Sequence, residues 1–321
     1  MTALLDISGL KVDVPGRAGT LHAIRGIDLS IGAGECFTIV GESGCGKSLT
    51  AMSVLGLLPR AAILSAERMS WKGQDMRRFS RRQWANLHGP EIAAIFQEPM
   101  TALNPVLTVG EQIIESFVHH RLGNRKAALA RAGELLERVG VVPVERRLAQ
   151  YPHEMSGGLR QRVMIAMALM CQPKLMIADE PTTALDVTTQ VEILKLLKEL
   201  QAEMGMALLL ITHDLGVVAH MADRVAVMYA GQIVETGSVA SVLTRSAHPY
   251  TSALLDCLPT RDQPLTPIPG VVPALFGELE GCMFRNRCRF AREACADPVP
   301  ARSVGEGHVY RCLLEANEVA A

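Results

Sequence analysis

The 321-residue sequence predicts an α/β fold on a mainly parallel sheet, and three observations carry that prediction. Short apolar runs alternate with stretches of helical spacing through much of the chain, the pattern of strands joined by crossover helices. One such run, Cys36-Phe37-Thr38-Ile39-Val40, leads directly into Gly41-Glu42-Ser43-Gly44-Cys45-Gly46-Lys47-Ser48. That octapeptide fits G-x-x-x-x-G-K-[ST], the loop that wraps nucleotide phosphates, and helical residues from Leu49 to Leu58 follow it, as such a loop requires.

The loop's composition has a geometric reason. Glycines at 41, 44 and 46 permit torsions and close approaches that a Cβ would block, so successive N–H groups can face phosphate oxygens. The helix that follows from Leu49 adds its positive N-terminal end. Lys47 supplies a point charge between the β- and γ-phosphates, and the Ser48 hydroxyl is a ligand for the magnesium ion that bridges them. Cys45 reads as a small residue at a variable position rather than a redox group.

Taken in order, residues 4–39 alternate short apolar stretches with Gly and Pro, for example Leu10 to Val14 and Ala23 to Ile31, which predicts an antiparallel strand layer. Residues 67–90 are polar and rich in arginine (Arg77, Arg78, Arg81, Arg82) and read as a solvated helix face rather than a phosphate or lipid contact. Glu91 to Phe96 reads as a second buried strand leading to Gln97. Residues 107–170 read as mostly helical with a loop near Pro152. Lys174 to Ala178 and Ala207 to Thr212 are two further strands, separated by a helix over Thr188 to Glu203. From Leu258, prolines at 259, 264, 267, 269 and 273 mark a linker or wrapping arm, followed by a short tail rich in Cys and Arg. The expected division is a domain over 1–257, with a helical subdomain at about 98–170, and a C-terminal extension over 258–321.

Composition narrows the function. Formal net charge is -1 and aromatic residues make up only 4%, which argues against a bulk nucleic-acid binder. No apolar run approaches the ~18 residues of a bilayer span; the best candidates, Val163 to Cys171 and Met206 to Ile211, are half that length or less. The N-terminus Met1-Thr2-Ala3-Leu4-Leu5-Asp6 shows no export signal. A cytoplasmic site of action is expected, with any membrane crossing left to another polypeptide.

Two acids end the apolar run Leu175-Met176-Ile177-Ala178. Asp179, at the carboxyl end of that strand, is a candidate to hold magnesium, and Glu180 to orient or deprotonate the water that attacks the γ-phosphorus. After one more strand comes His213, placed to reach the γ-phosphate. Met155-Ser156-Gly157-Gly158 precedes an apolar helix over Gln161 to Met170, so Ser156, Gly157 and Gly158 form a second anion-binding helix start. One triphosphate does not need two such sites on one chain. The economical reading is a sandwich, with ATP between one chain's phosphate loop and the Ser-Gly-Gly helix of another; hydrolysis would let the two part.

These residues together resemble the ATP-binding subunits of ABC transporters, across nearly the whole chain. The stretches Phe96 to Pro105, Ala178 to Val187 and His248-Pro249-Tyr250-Thr251 are similar to the dipeptide and oligopeptide (and nickel) import branch. What the resemblance implies is a P-loop ATPase with an N-terminal antiparallel layer, a helical subdomain and a small Cys-rich extension. It implies Gln97 as the residue that senses the membrane subunit and joins Ser48 and Asp179 at magnesium, and Asp186 in the loop after the acids. The implied assembly contains a second ATPase chain, two membrane-spanning permease subunits and an extracytoplasmic peptide-binding protein, with this chain at the cytoplasmic face of the membrane. Two departures stand out. The family signature Leu-Ser-Gly-Gly-Gln has Met155 first and Leu159 fifth here, with glutamine delayed to Gln161. No Phe, Tyr or Trp precedes Phe37, so Val14 takes the place of the aromatic residue on which the family stacks adenine.

Four of the eight cysteines, Cys282, Cys288, Cys295 and Cys312, crowd into the tail. A cytosolic setting disfavours disulfides, and the spacing lacks the close C-x2-4-C pairs of structural zinc. A [4Fe-4S] cluster, which the resemblance to the dipeptide importer branch also implies, is the leading expectation, with Zn2+ and unligated thiols as alternatives. Its expected role is to staple a tail too small to have a core. The functional expectation is therefore an ATPase that powers uptake of di- and oligopeptides. The alternative, a soluble ABC-type ATPase acting on nucleic acid, lacks the long coiled-coil insertion such proteins carry between Lys47 and Ser156.

Overall fold

Apolar residues at every second position of Leu5–Gly16, with a register break between Ile7 and Leu10, bury Leu5, Ile7, Leu10 and Val12 on one side of the strand. That strand pairs antiparallel with Gly19–Ile31, Ile63–Ser65 and Arg68–Trp71, and the last of these with Gln74–Asp75. The computed structural model describes residues 3–17, 19–97, 102–183, 185–258, 267–305 and 307–319. They fall into two units, Met1–Arg78 with Ile211–Ala321, and Phe79–Leu210. The expected antiparallel layer is present in the first. Of the arginine-rich stretch, expected as a solvated helix face, Arg77 and Arg78 are exposed in the 3-10 turn Met76–Arg78 and Arg81 and Arg82 in the α-helix Arg81–Leu87, while Arg68–Trp71 and Gln74–Asp75 before them are strands of this layer. Arg77 turns back on Asp75, and its hydrogen bond holds that carboxyl down to about 2.

The second sheet of the first unit starts from Cys36–Val40, whose five residues are all buried. It runs parallel to Arg224–Tyr229, which turns back antiparallel into Gln232–Ser238. The tail then extends this sheet: Val309–Tyr310 pairs with Gln232–Ser238, and Arg302–Ser303 with Val309–Tyr310. The proline-rich arm does wrap. His22 N–H donates to the Leu275 carbonyl, and Leu21 bridges Phe276; Pro259 and Pro264 lie outside the described residues.

The expectation of a tail without a core is corrected. Leu275 and Phe284 are buried in the same apolar cluster as Val40, Val227, Tyr229 and Tyr250, and Tyr310 and Leu314 are buried as well. Glu235, fully buried in Gln232–Ser238, accepts from the Ala247 and His248 amides at 2.7 and 3.0 Å and contacts His308 Nε2 at 2.8 Å. The buried carboxylate thus has partners on both the sheet connection and the tail.

In the second unit Ile92–Ile95 runs parallel to Leu175–Asp179, which lies beside Ala207–Thr212. Its helices include Val109–Ile113, Glu115–His119, Arg125–Arg138, Val144–Ala149, Gly157–Leu169 and Val187–Met204. Side-chain caps explain several starts: Thr108 with Glu111 forms a capping box, and Asn124, Ser156 and Asp186 each accept an amide of their own first turn. Among the described residues no helix is long and apolar enough to cross a membrane.

If the tail shares the core of the first unit, Phe284→Ala removes a ring that packs edge-on against Tyr229 and Tyr250 at 5.3 Å each. Denaturant unfolding should then show a loss of about 3 kcal/mol. A loss below ~1 kcal/mol would mean that the ring is not part of a packed core.

Candidate functional site

Close packing explains the glycines of the phosphate loop. A Cβ on Gly41 would collide with the Met228 carbonyl and lie 3.0 Å from Cys45 Sγ. Gly46, at φ +108°, would place a Cβ 2.8 Å from the Ala23 carbonyl, and it is the residue from which the helix Lys47–Leu55 starts. Lys47 is buried, and its Nζ donates to the Gly41 and Glu42 carbonyls at 2.9 and 3.0 Å. The ammonium is thereby held inside the curve of the loop. Ser43 and Gly44 are exposed, and Ser48 and Leu49 half-buried at the helix start. Cys45 is fully buried. Burial pushes its thiol up, with Lys47 opposing, so it fills space as an uncharged group.

Sequence reasoning missed Tyr250 as part of this loop. Its hydroxyl, in the helix Pro249–Asp256, accepts the Glu42 amide at 3.0 Å. The residue belongs to the His248 to Thr251 stretch that carried the family resemblance, but nothing in its local pattern signals a contact 208 residues away. Val14 sits half-buried in the hairpin arm, paired with Leu21. His213 is exposed at the end of Ala207–Thr212, and the next residue, Asp214, caps the helix Leu215–Met221 through the Gly216 and Val217 amides.

In the second unit the structure brings three predicted features together. Asp179 is buried at the end of Leu175–Asp179. Glu180 follows in the left-handed region at φ +46°, a conformation that costs a non-glycine residue about 1 kcal/mol or more and is found disproportionately at active sites. Its Oε2 accepts from Gln97 Nε2 at 3.0 Å and from Thr183 Oγ1 at 2.9 Å. Thr183 was not singled out from sequence; it lies in the Ala178 to Val187 stretch, of which Ala184 is outside the described residues. Of the Phe96 to Pro105 stretch, residues 98–101 are likewise outside them.

The signature Ser156 is exposed and caps Gly157–Leu169 by accepting the Leu159 amide at 3.4 Å. A methyl on Gly158 would lie 3.1 Å from Thr189 Cγ2, so this helix packs closely on Val187–Met204. Asp186 caps the latter through Thr189 N and Oγ1, bonds that hold its carboxyl below the usual range. Gln161 is fully buried. It therefore does not take over the half-buried position that Leu159 occupies in the signature.

Cys282, Cys288, Cys295 and Cys312 line a single cavity in the first unit, together with Phe284, Phe290 and Leu314. All four are free thiols. The Cys282 amide donates to the Cys295 carbonyl at 2.8 Å, closing the first segment on the third cysteine. Burial pushes the Cys282 thiol up to about 11, and the other three cysteines add to the rise. Among the described residues no three His, Cys, Asp or Glu side chains are placed to grip one metal ion.

Residues 24–183 match the ABC transporter family, and residues 234–295 the oligopeptide/dipeptide transporter C-terminal region. The chain is 49% identical to a probable peptide ABC transporter ATP-binding protein of Sinorhizobium fredii, covering 98% of this chain and 96% of the relative. It is 45% identical to the dipeptide transport ATP-binding protein of Bacillus subtilis (98% and 96% covered) and 46% to that of Escherichia coli (97% and 96%). Among solved structures it resembles the ATP-binding cassette MJ0796, a dimer bound to ADP and Pi, with TM-score 0.65, 26% identity, and coverage of 73% of this chain and 98% of that one. With cbiO1 of Clostridium perfringens the TM-score is 0.64 at 30% identity, covering 75% and 91%. The chain thus belongs to the ABC transporters, as an ATP-hydrolysing, ATP-binding subunit that carries the C-terminal region of the oligopeptide/dipeptide group.

Proposed function

We propose that the chain powers the import of di- and oligopeptides, hydrolysing ATP at the cytoplasmic face of the membrane beside two permease subunits that receive cargo from an extracytoplasmic binding protein. The observation that carries the hydrolytic part is the grip on Glu180, whose Oε2 is held by both Gln97 and Thr183 while its backbone is turned into the left-handed region. Such a carboxylate is preorganised to orient and deprotonate a water. The bond to Gln97 also gives the sensing role a physical route, since any shift of the Gln97 loop moves the general base. His213 serves as the γ-phosphate contact, and Val14 supplies an apolar surface for adenine. The domain division at residue 257 and the helical subdomain at about 98–170 belong to the same reading.

The sandwich follows from the exposed Ser156 helix start. Its amides, with Gly157 and Gly158, face a second chain's nucleotide, and that chain's phosphate loop (Gly41 to Leu49 in this one) faces the nucleotide from the other side. The dimeric state of the relative bound to ADP and Pi supports this arrangement; the partner here is most economically a related ATPase chain. Ser48, Gln97 and Asp179 offer the hard hydroxyl, amide and carboxylate oxygens that suit Mg2+, which neutralises charge on the β- and γ-phosphates when bound.

For the tail we favour a [4Fe-4S] cluster over zinc. Four cysteines line one cavity, yet no three donors among the described residues converge on one point. A cluster holds each thiolate at a different iron, and the sequence lacks the close C-x2-4-C pairs that usually bring sulfurs onto one zinc. Because the tail already has a core, the group would fix local geometry rather than supply the only staple.

Replacing the general base by Glu180→Gln should leave ATP binding intact and slow hydrolysis by roughly 100-fold or more; turnover near wild type would remove Glu180 from this role. Lys47→Ala should weaken ATP binding itself, as read by equilibrium titration, and unchanged affinity would contradict the cradle. Metal and sulfide analysis of anaerobically purified full-length chain should give about four iron and four sulfide per chain. Stoichiometric zinc without sulfide would decide for the alternative.

A further inference from the structure

A charged group from the cysteine tail reaches the phosphate loop. Arg287 lies in the short helical turn Arg285–Arg287, between Cys282 and Cys288, and its side chain is only 6% exposed. Nη1 donates to Glu42 Oε2 at 2.8 Å and Nη2 to Glu42 Oε1 at 3.1 Å, a two-pronged pair across 245 residues of sequence. The remaining N–H groups go to the Pro269 carbonyl (2.8 Å), the Ile268 carbonyl (3.4 Å) and the Tyr229 hydroxyl (3.4 Å). All five guanidinium donors are thus used, and the ring faces of Tyr229 and Phe284 lie 5.8 and 5.9 Å from its Cζ.

Glu42 is the second residue of the phosphate loop. Its carbonyl accepts from Lys47 Nζ and its amide donates to Tyr250, so Lys47, Tyr250 and Arg287 all hold this one residue. Its carboxylate is also a negative charge within the loop that must receive a polyphosphate. Unpaired, it would repel the ligand and compete for Lys47; forked by Arg287, it is neutralised and held aside. A lysine could supply the charge but not the fork.

We propose that Arg287 is a positioning residue of the ATP site: it pairs Glu42 away from the triphosphate, so that nucleotide affinity depends on the cysteine-bounded turn of the tail. This rests on the ATPase activity alone and is independent of what the cysteines bind. Arg287 touches the loop and not the reacting atoms, so its removal raises KM for ATP and leaves kcat little changed.

The test is a double-substitution cycle in the full-length chain, read by methylanthraniloyl-ATP titration, by ATPase KM and kcat, and by thermal unfolding. Arg287→Met should weaken nucleotide affinity about tenfold, the range of a close charge pair. Glu42→Gln alone should change it less than about threefold. The double variant should bind better than Arg287→Met, because the stranded carboxylate is gone. Arg287→Lys, which keeps the charge on a similar stem, gives an intermediate loss and provides the readout should Arg287→Met not fold. Glu315→Gln, which breaks the Arg302–Glu315 pair elsewhere in the tail, should leave affinity unchanged. The proposal is overturned if folded Arg287→Met, or Arg287→Lys in its place, binds within about twofold of wild type. It is equally overturned if the double variant binds no better than Arg287→Met, or if Glu315→Gln weakens binding to the same degree.

Discussion

The constraint on which the rest depends is the shape of eight residues of backbone. For Gly41 to Ser48 to present N–H groups inward, Gly41 must pass against the Met228 carbonyl and Gly46 against Ala23, and Lys47 must be buried. Its ammonium donates to the loop's own carbonyls, which holds it inside the curve. Everything packed around the loop in the first unit serves that geometry. The strand Cys36–Val40 delivers the chain to it, Arg224–Tyr229 runs alongside in parallel, and the aromatic group of Tyr229, Tyr250 and Phe284 backs Glu42.

The second unit answers a different requirement. Here the chain accepts backbone strain at Glu180 and two side-chain bonds to one of its carboxylate oxygens, as the proposed general base requires. Capping residues Ser156 and Asp186 start two closely packed helices with their ends toward solvent. The phosphate loop is thus built from close-packed glycine backbone and the proposed hydrolytic site from side-chain hydrogen bonds.

How much was legible in the sequence follows from the range of each interaction. The phosphate loop, the acids at 179 and 180 and the Ser156 cap are local patterns in which neighbouring residues define the chemistry, and the structure has each in the local setting expected. The arginine-rich stretch was legible in part: Arg77, Arg78, Arg81 and Arg82 stand exposed in helical turns, but Arg68 pairs with Asp6 on a strand, and charge alone does not distinguish a helix face from the rim of a sheet. The docking of the tail was not legible. It depends on Val309–Tyr310 finding the edge of Gln232–Ser238 and on His308 meeting buried Glu235. Neither pairing leaves a periodic trace, and Tyr250 and Arg287 were hidden from local pattern by the same long separation.

If one triphosphate is clasped between this chain's phosphate loop and the Ser156 helix of another, then hydrolysis is a property of pairs. The direct measurement is specific ATPase activity per chain against total protein concentration, with chain association followed in parallel by sedimentation. Activity should rise with the paired fraction and fall toward zero in the dilute monomer. Full specific activity in a solution of chains that remain single would contradict it.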